Sequence, residues 1–547
     1  MKPHAGDEVH KAFLQEMQAL ENLRVSYTGA YASAGLVRED PEVRRLLEAI
    51  ALLSARSRVA SQRSLLATQR RLFQQFFSFL LSPCPARGLL QLEPTGRLAD
   101  TVELPRGTEV QVSAPSGASA MFATQRAVRV LPLRLVWCET LLRVEGPRVV
   151  LGFRAPFPRQ EEINTLSLHV NHLDDYPASL TLVHLLQRHL ERAFLVFEDK
   201  VTEDSDGPSC SVSFGEEPDE ETIGEEEHPL QEVRSFFHAP QRDLFMNVTV
   251  PETPPRWHKF SIVLDLSGDW PRALRLTKDM FELFTVPIAN LQEGPAEPLL
   301  CEGLESRTRI RHPNPDQRWE PHSVRGVYTV EEMGLVPIRP GIVTAGTGSY
   351  ELERTEDERG EAHWIRLRFP QAFAEPRSVA IEALWLQPGF SEHMSGHLKA
   401  QLHARAIPGL RIDLRGGITP HASNPLASSF EGMLQLLSLR SKTGGLTREE
   451  LDVLLEALGV LEHSPYASLQ DHLGELKVET LPEPRERGGG RRHVYRFDLG
   501  EFDVTLTPLI DAGIARIAEA LRAWTTDARV TVEAHFGGDD PRTVTYE

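Results

Sequence analysis

Cysteine is scarce in this 547-residue chain. The four residues Cys84, Cys138, Cys210 and Cys301 lie far apart and form no C-x-x-C pair. Reduced thiols in a reducing compartment are therefore expected, not a disulfide framework. No run of about 18 apolar residues occurs, so no membrane-spanning helix is expected. The opening MKPHAGDEVHKAF lacks the apolar core of a secretory signal, and a cytoplasmic location follows as the expectation. Basic charge is also in deficit. Lys and Arg number 59 against 78 Asp and Glu, for a formal net charge of −19. Such a chain repels phosphate backbones, which argues against general nucleic-acid binding.

Catalytic motifs are missing too. There is no G-x-S-x-G, so a nucleophile-elbow hydrolase has no support. Gly488-Gly489-Gly490 lacks the lysine and hydroxyl of a phosphate loop. The best metal-like cluster is His169-Val-Asn-His172-Leu-Asp174-Asp175. If residues 166–170 form a strand, His169 and His172 differ in parity and face opposite sides unless the strand ends between them. The spacing also differs from H-E-x-x-H. His184 and His189 are five residues apart on a helix and so lie on different faces. No catalytic, metal or cofactor-binding residue is assigned.

What the chain does have is a helical N-terminal region that hands over to strands. Residues 9–25 form an amphipathic helix with Phe13, Met17, Leu20 and Leu23 on one face. Asp40 suits a helix N-cap and Pro41 its first position. Helical spacing then runs through Val43, Leu46, Leu47, Ile50 and Leu53, and again through Leu65, Leu66, Leu72, Phe73, Phe76, Phe77, Leu80 and Leu81. The two runs predict a helical hairpin that stops at Ser82-Pro83-Cys84-Pro85. Phe73, Phe76, Phe77 and Phe79 fall within seven residues and cover more than one helical face. With Leu72 they are the candidate assembly-interface or core residues.

Beyond Leu89 the pattern is short strands broken by Pro and Gly, including a Pro105-Arg106-Gly107 turn. A helix is expected from Pro177 to about Phe194. Glu216 to Glu227 carries eight acids in twelve residues, most simply a solvated loop. A further β-rich unit covers about Ser323 to Leu414. Thr447-Arg-Glu-Glu450 matches a capping box for a helix that Gly459 stops. Pro482 to Arg492 reads as a flexible, basic-ended loop, and Leu509 to Trp524 as a helix. The expected class is α+β, elongated and multi-domain, with an N-terminal helical region followed by several β-rich, sandwich-like domains. The expected boundaries are 1–85 helical, 86–300 β-rich with an inserted helix, 301–425 a second β-rich domain, and 426–547 a C-terminal α+β domain.

Several phrases in a fixed order resemble the TssF (VasA) family of type VI secretion baseplate proteins. They are Asp40-Pro41-Glu42-Val43-Arg44-Arg45-Leu46-Leu47-Glu48 with Leu53-Ser54-Ala55-Arg56, the helix-to-Pro break at Leu81-Ser82-Pro83, and Leu104-Pro105-Arg106-Gly107-Thr108. Phe122-Ala-Thr124, Val130-Leu-Pro132-Leu133, Phe284-Thr-Val-Pro287-Ile-Ala-Asn290-Leu291 and Leu434–Leu439 continue the series. Two departures stand out. Gln292 replaces the family's aromatic after the Asn-Leu step, and the chain beyond Pro482 lacks the usual glycine- and phenylalanine-rich ending. The resemblance implies a non-enzymatic wedge subunit without cofactors. It also implies assembly with a TssG-like protein and a second copy of itself, and with TssK, TssE and a VgrG-like spike in the complete baseplate. The residues by themselves leave two rivals, a multi-domain β-sandwich hydrolase acting on glycans and a ligand-binding β-sandwich module.

Overall fold

The computed structural model describes residues 5–30, 41–197, 200–216, 228–251, 253–302, 307–315, 318–341, 348–357, 360–369, 376–404, 406–423, 426, 429–442, 444–461, 464–483, 490–500, 502–537 and 542–546. The chain divides into two compact units. One comprises residues 1–78 with 429–437, and the other residues 79–428 with 438–547.

Helices dominate the smaller unit. α1 spans Ala5–Ala30 and α2 spans Pro41–Leu81. The expected hairpin within 41–81 is overturned: both apolar runs belong to one helix. From Pro41 to the bend at Phe77 it is about 55 Å long at 1.5 Å per residue. The mostly polar stretch between the runs is built from Ser, Ala, Arg and Gln with one valine, Val59, and its Ala, Arg and Gln residues favour helix strongly. The helix bends at Phe77, whose backbone leaves the helical region (φ −137°, ψ 39°). The hairpin that does form pairs α1 with α2. Ala12 of α1 packs with Ala55 and Val59 of α2, flanked by Val9 and Phe13. Small residues at this contact let the backbones approach. Glu16 and Arg58 add an ion pair at 2.9 Å.

The larger unit is mostly antiparallel sheet, as expected for an α+β chain. One six-stranded sheet runs in the order Lys399–Leu402, Glu109–Ser113, Ser119–Thr124, Thr285–Ala289, Arg87–Pro94 and Leu410–Thr419. Its Pro105-Arg106-Gly107 turn is formed as expected. Gly107 takes φ +80°, a conformation that favours glycine, and the Thr108 hydroxyl donates to the Pro105 carbonyl at 2.6 Å. An eight-stranded sheet follows, from Phe281–Leu283 at one edge to Arg134–Leu142 at the other. α3 (Tyr176–His189) is inserted after its strand Thr165–Val170. α3 stops five residues before Phe194, earlier than its periodicity suggested. Leu190–Val196 instead pairs with Trp257–Leu266 as a strand, and the ladder bonds outweigh local helix preference. α4 (Pro229–His238) covers Gln231–Phe237.

Residues 292–386 form a sandwich. A five-stranded sheet centred on Glu320–Glu331 and Arg377–Leu386 faces a four-stranded sheet centred on Ser349–Asp357 and Gly360–Arg368. Val327, Ile381, Ala383 and Trp385 from the first sheet pack against Tyr350 and Ile365 from the second. Beyond it come α5 (Phe430–Arg440) and α6 (Arg448–Leu458). α6 starts with the anticipated capping box and ends at Gly459 with φ 70°. A short α7 (Leu469–His472) precedes the last sheet, Leu473–Glu483, Gly490–Leu499, Arg529–Phe536 and Arg542–Tyr546. Its central pair is parallel. A parallel pair needs a crossover, which α8 (Thr507–Trp524) supplies.

Candidate assembly surfaces

The five candidate residues at the end of α2 divide between two environments. Phe73 is 0% exposed and Phe77 3%, with ring centroids 5.1 Å apart. They are four residues apart and share one face. Leu72 and Phe76, also four apart, are 46% and 64% exposed. Phe79 is half-buried and stacks on the His228 ring at 4.1 Å and 15°. The structure thus brings Phe73 and Phe77 together and keeps Leu72 and Phe76 on a different, open face.

More apolar surface lies open along the same helices. Leu46, Ile50 and Leu53 are exposed at i, i+4, i+7, and Leu65, Leu72 and Phe76 at i, i+7, i+11. Each triplet therefore lines one side of α2. On α1, Leu14, Leu23, Val25 and Tyr27 are exposed as well. Of the face expected to carry Phe13, Met17, Leu20 and Leu23, the first three are half-buried and Leu23 is 65% exposed. Apolar side chains aligned along an exposed helix side mark candidate interaction surfaces.

The last turn of α2, within the larger unit, is held by Arg234 of α4, which is 2% exposed. Its Nη1 donates to the carbonyls of Phe79 (3.1 Å) and Ser82, and its Nε to the carbonyl of Leu458 at the end of α6 (2.8 Å). One guanidinium thus satisfies the orphan carbonyls of two helix C-termini. Each terminus carries partial negative charge, which favours the buried cation. Arg354 donates nearby to the Ser82 hydroxyl (2.8 Å) and the His322 carbonyl (3.0 Å). The imidazoles in this region respond to their surroundings. Burial, reinforced by Arg87, pushes His238 down to about 3, even though its ring nitrogen bonds the Pro85 carbonyl at 3.0 Å. Burial, with Arg354 and Arg234 close by, likewise holds His322 well below the usual histidine range. Sequence gave no sign of this joint, because the carbonyls that Arg234 binds lie 152 to 224 residues away.

The metal-like cluster separates into individual roles. His169 is buried in its strand, with Nε2 3.1 Å from the Gln241 carbonyl and Nδ1 3.4 Å from Glu282 Oε2. The His172 amide donates to the Ser179 hydroxyl at 2.8 Å. Asp174 accepts from Asn171 at 2.8 Å, and Asp175 caps α3 through the Ala178 amide at 2.9 Å. His169, Asn171 and Asp174 border a pocket of about 120 Å³ that Arg87 and Arg415 also line. Among the described residues, no three His, Cys, Asp or Glu side chains gather as a metal group would require. His189 bonds the Ser267 hydroxyl at 2.7 Å, and burial lowers the pKa of His184. The acidic run lies outside the described residues from 217 to 227. Its first member, Glu216, pairs with Arg242 at 2.7 Å. Burial pushes the Cys138 thiol up to about 12 and that of Cys210 up to about 11. Among the described residues no helix is long and apolar enough to cross a membrane.

The family model described as "Type VI secretion system, TssF" matches residues 28–387. No curated protein matches. Two solved structures share the fold. One is described as the type VI secretion system TssK-TssF-TssG baseplate subcomplex, determined by cryo-electron microscopy. A chain in it aligns at 17% identity over 92% of this chain and 98% of its own length, with a TM-score of 0.71. The other is described as the baseplate complex from the type VI secretion system. It aligns at 17% identity over 98% of both chains, with a TM-score of 0.58.

Proposed function

This chain belongs to the TssF family of type VI secretion systems, and from that premise we propose that it is a structural wedge subunit of the secretion baseplate. The observation that carries the reading is the family match, which runs from just before α2 through the residue 292–386 sandwich. Its partners on this reading are a TssG-like protein, a second copy of itself and TssK, with TssE and a VgrG-like spike in the complete assembly. The work is mechanical, without a catalytic site or cofactor, and is done in the cytoplasm.

The exposed sides of α1 and α2 support the reading physically. Fully burying one leucine or phenylalanine side chain contributes about 1.5–3 kcal/mol. Six such side chains on α2 supply ample drive for association even after the entropic cost of ordering two chains. Leu72 and Phe76 are the assembly residues on this view, and Phe73 and Phe77 belong to the core. The test is co-expression with a TssG-like protein from the same genome, followed by size-exclusion chromatography with light scattering. A stable heteromer is expected. Two separate monomers at micromolar concentration would overturn the proposal.

A further inference from the structure

The first sheet of the residue 292–386 sandwich carries an apolar row that runs out to an open edge. Leu299, Val327 and Val379 of this sheet pack into the core. Side chains alternate along a strand, so Leu300, Ser378 and Val330 face outward. Leu300 is the register partner of Ser378, and Val330 that of Leu335. Thr329 and Val379 are partners, so Val330 and Ser378 stand together one step further on. The row across the sheet is therefore Leu300, Ser378, Val330, Leu335. The outward face of an antiparallel sheet is ordinarily polar, yet Leu300, Val330 and Leu335 are each at least half exposed. The row ends on Gly334–Pro337, the edge strand of the sheet.

The pairing of that edge strand fixes which main-chain groups face outward. The Ile338 amide donates to the Val327 carbonyl. Mutually bonded pairs recur at every second residue of an antiparallel ladder, and so fall at Thr329–Val336 and Glu331–Gly334. Pro337, opposite Tyr328, has no N–H and fits only the intervening, unbonded kind of pair. Leu335 is of that kind too. Its N–H and C=O therefore point away from the sheet, where no main chain among the described residues pairs with them. Edge strands are ordinarily defended by charge. Leu473–Glu483, an edge strand of the C-terminal sheet, carries Glu475, Lys477 and Glu479, whereas Gly334–Pro337 carries no charged side chain. Glu331 and Glu332, both exposed, lie in the adjoining hairpin turn.

We propose that this edge is a docking site for a short extended segment of a partner protein, which adds as a further strand beside Gly334–Pro337. Its main chain pairs with Leu335, and an apolar side chain opposite Leu335 continues the exposed row. A basic residue at its end meets Glu331 and Glu332. A helix bonds its own main chain internally and has none to offer Leu335, which decides against a helical occupant. The inference does not depend on the baseplate reading.

The test uses the full chain and a fluorescein-labelled, end-capped peptide KVTVTVK, followed by fluorescence anisotropy. Binding is expected, with slower hydrogen exchange at the Leu335 amide in the complex. N-methylation of the three valines keeps the side chains but removes the donors that would face Leu335, and abolishes binding. Leu335→Ser, at an exposed position, weakens binding by about tenfold or more with an unchanged melting temperature. Val144→Ser, on an exposed hairpin tip elsewhere, leaves affinity unchanged. Replacing the terminal lysines of the peptide by glutamates weakens binding. Four results would each overturn the proposal: no binding of KVTVTVK at millimolar concentration, undiminished binding of the N-methylated peptide, equal binding by the Leu335→Ser chain, or tighter binding of the glutamate-ended peptide.

Discussion

Acid should loosen the joint around Arg234 through His238. The imidazole is 6% exposed and is held at about 3, against an ordinary value of 6.5. The groups facing it are Arg87, Arg234 and His421, with the Pro85 carbonyl as its hydrogen-bond partner. A neutral imidazole donating to that carbonyl is the form the fold selects. The pKa is lower in the folded state than in the unfolded one, so the unfolded chain binds the proton more tightly. The stabilisation is therefore fully present above about pH 6.5 and is lost as the pH falls toward 3. A shift of about 3.5 units corresponds to about 5 kcal/mol at its limit, and about 2 kcal/mol of that is already gone by pH 5. His322 shifts in the same direction and adds to the loss. The assay is urea denaturation followed by tryptophan fluorescence at about pH 7.5, 6 and 5 and at fixed ionic strength. The comparison is with His238→Gln, whose amide can still donate to Pro85 but cannot take up a proton. The wild-type chain should lose about 2 kcal/mol more than the variant between pH 7.5 and 5. Equal losses would refute the account, because His238 would then not be the group that charges.

The aromatic pairs of α2 should separate by assay. Phe73→Ala, at a fully buried site, should cost about 3–5 kcal/mol of stability, read as a lower melting temperature. Phe76→Ser should leave the melting temperature nearly unchanged, within about 0.5 kcal/mol, while reducing recovery of the TssG-like partner in co-purification. Arg234→Met keeps most of the side-chain volume but strips donors from the Phe79, Ser82 and Leu458 carbonyls. It should destabilise by about 3 kcal/mol or more, at about 1–3 kcal/mol for each buried group left unsatisfied. Hydrogen exchange should then quicken at the ends of α2 and α6 together, and a change at one end alone would count against a shared cap.

The parts of the fold written in local chemistry were legible. Thr447 and Glu450 announce α6, and Gly459 ends it, because a capping box and a left-handed C-cap need only neighbouring residues. The Pro105-Arg106-Gly107 turn was legible for the same reason. Where tertiary pairing decides, the sequence misled. A strand was expected from Phe194, but it begins four residues earlier, where Leu190 to Ala193 continue the periodicity of α3 yet pair with Leu266 to Leu264 of the neighbouring strand. The phenylalanines of α2 were visible as a group, but their division was not. Leu72 with Phe76 and Phe73 with Phe77 have identical spacing, and only the packed structure tells which pair faces inward. The stretch Pro482 to Arg492 was expected as a loop, yet its two ends belong to the strands Leu473–Glu483 and Gly490–Leu499, and residues 484–489 lie outside the described residues.

Two buried arginines show how differently this chain neutralises an interior cation. Arg148, 4% exposed, pairs bidentately with Asp265 at 2.7 and 3.0 Å and donates further to the carbonyls of Thr202, Glu203 and Ser205. Its countercharge is a carboxylate. The bonds recorded for Arg234 all run to main-chain carbonyls, and its countercharge is the negative ends of two helices. Helix dipoles do not titrate, and among the described residues none of the bonds that Arg234 makes depends on an ionised carboxylate. Burial also shields it from salt screening. Its weakness lies instead in the neutral histidines beside it, whose protonation would add positive charge where none of the neighbouring cations can leave. The joint that fixes the end of α2 should therefore resist changes in ionic strength and yield to acid.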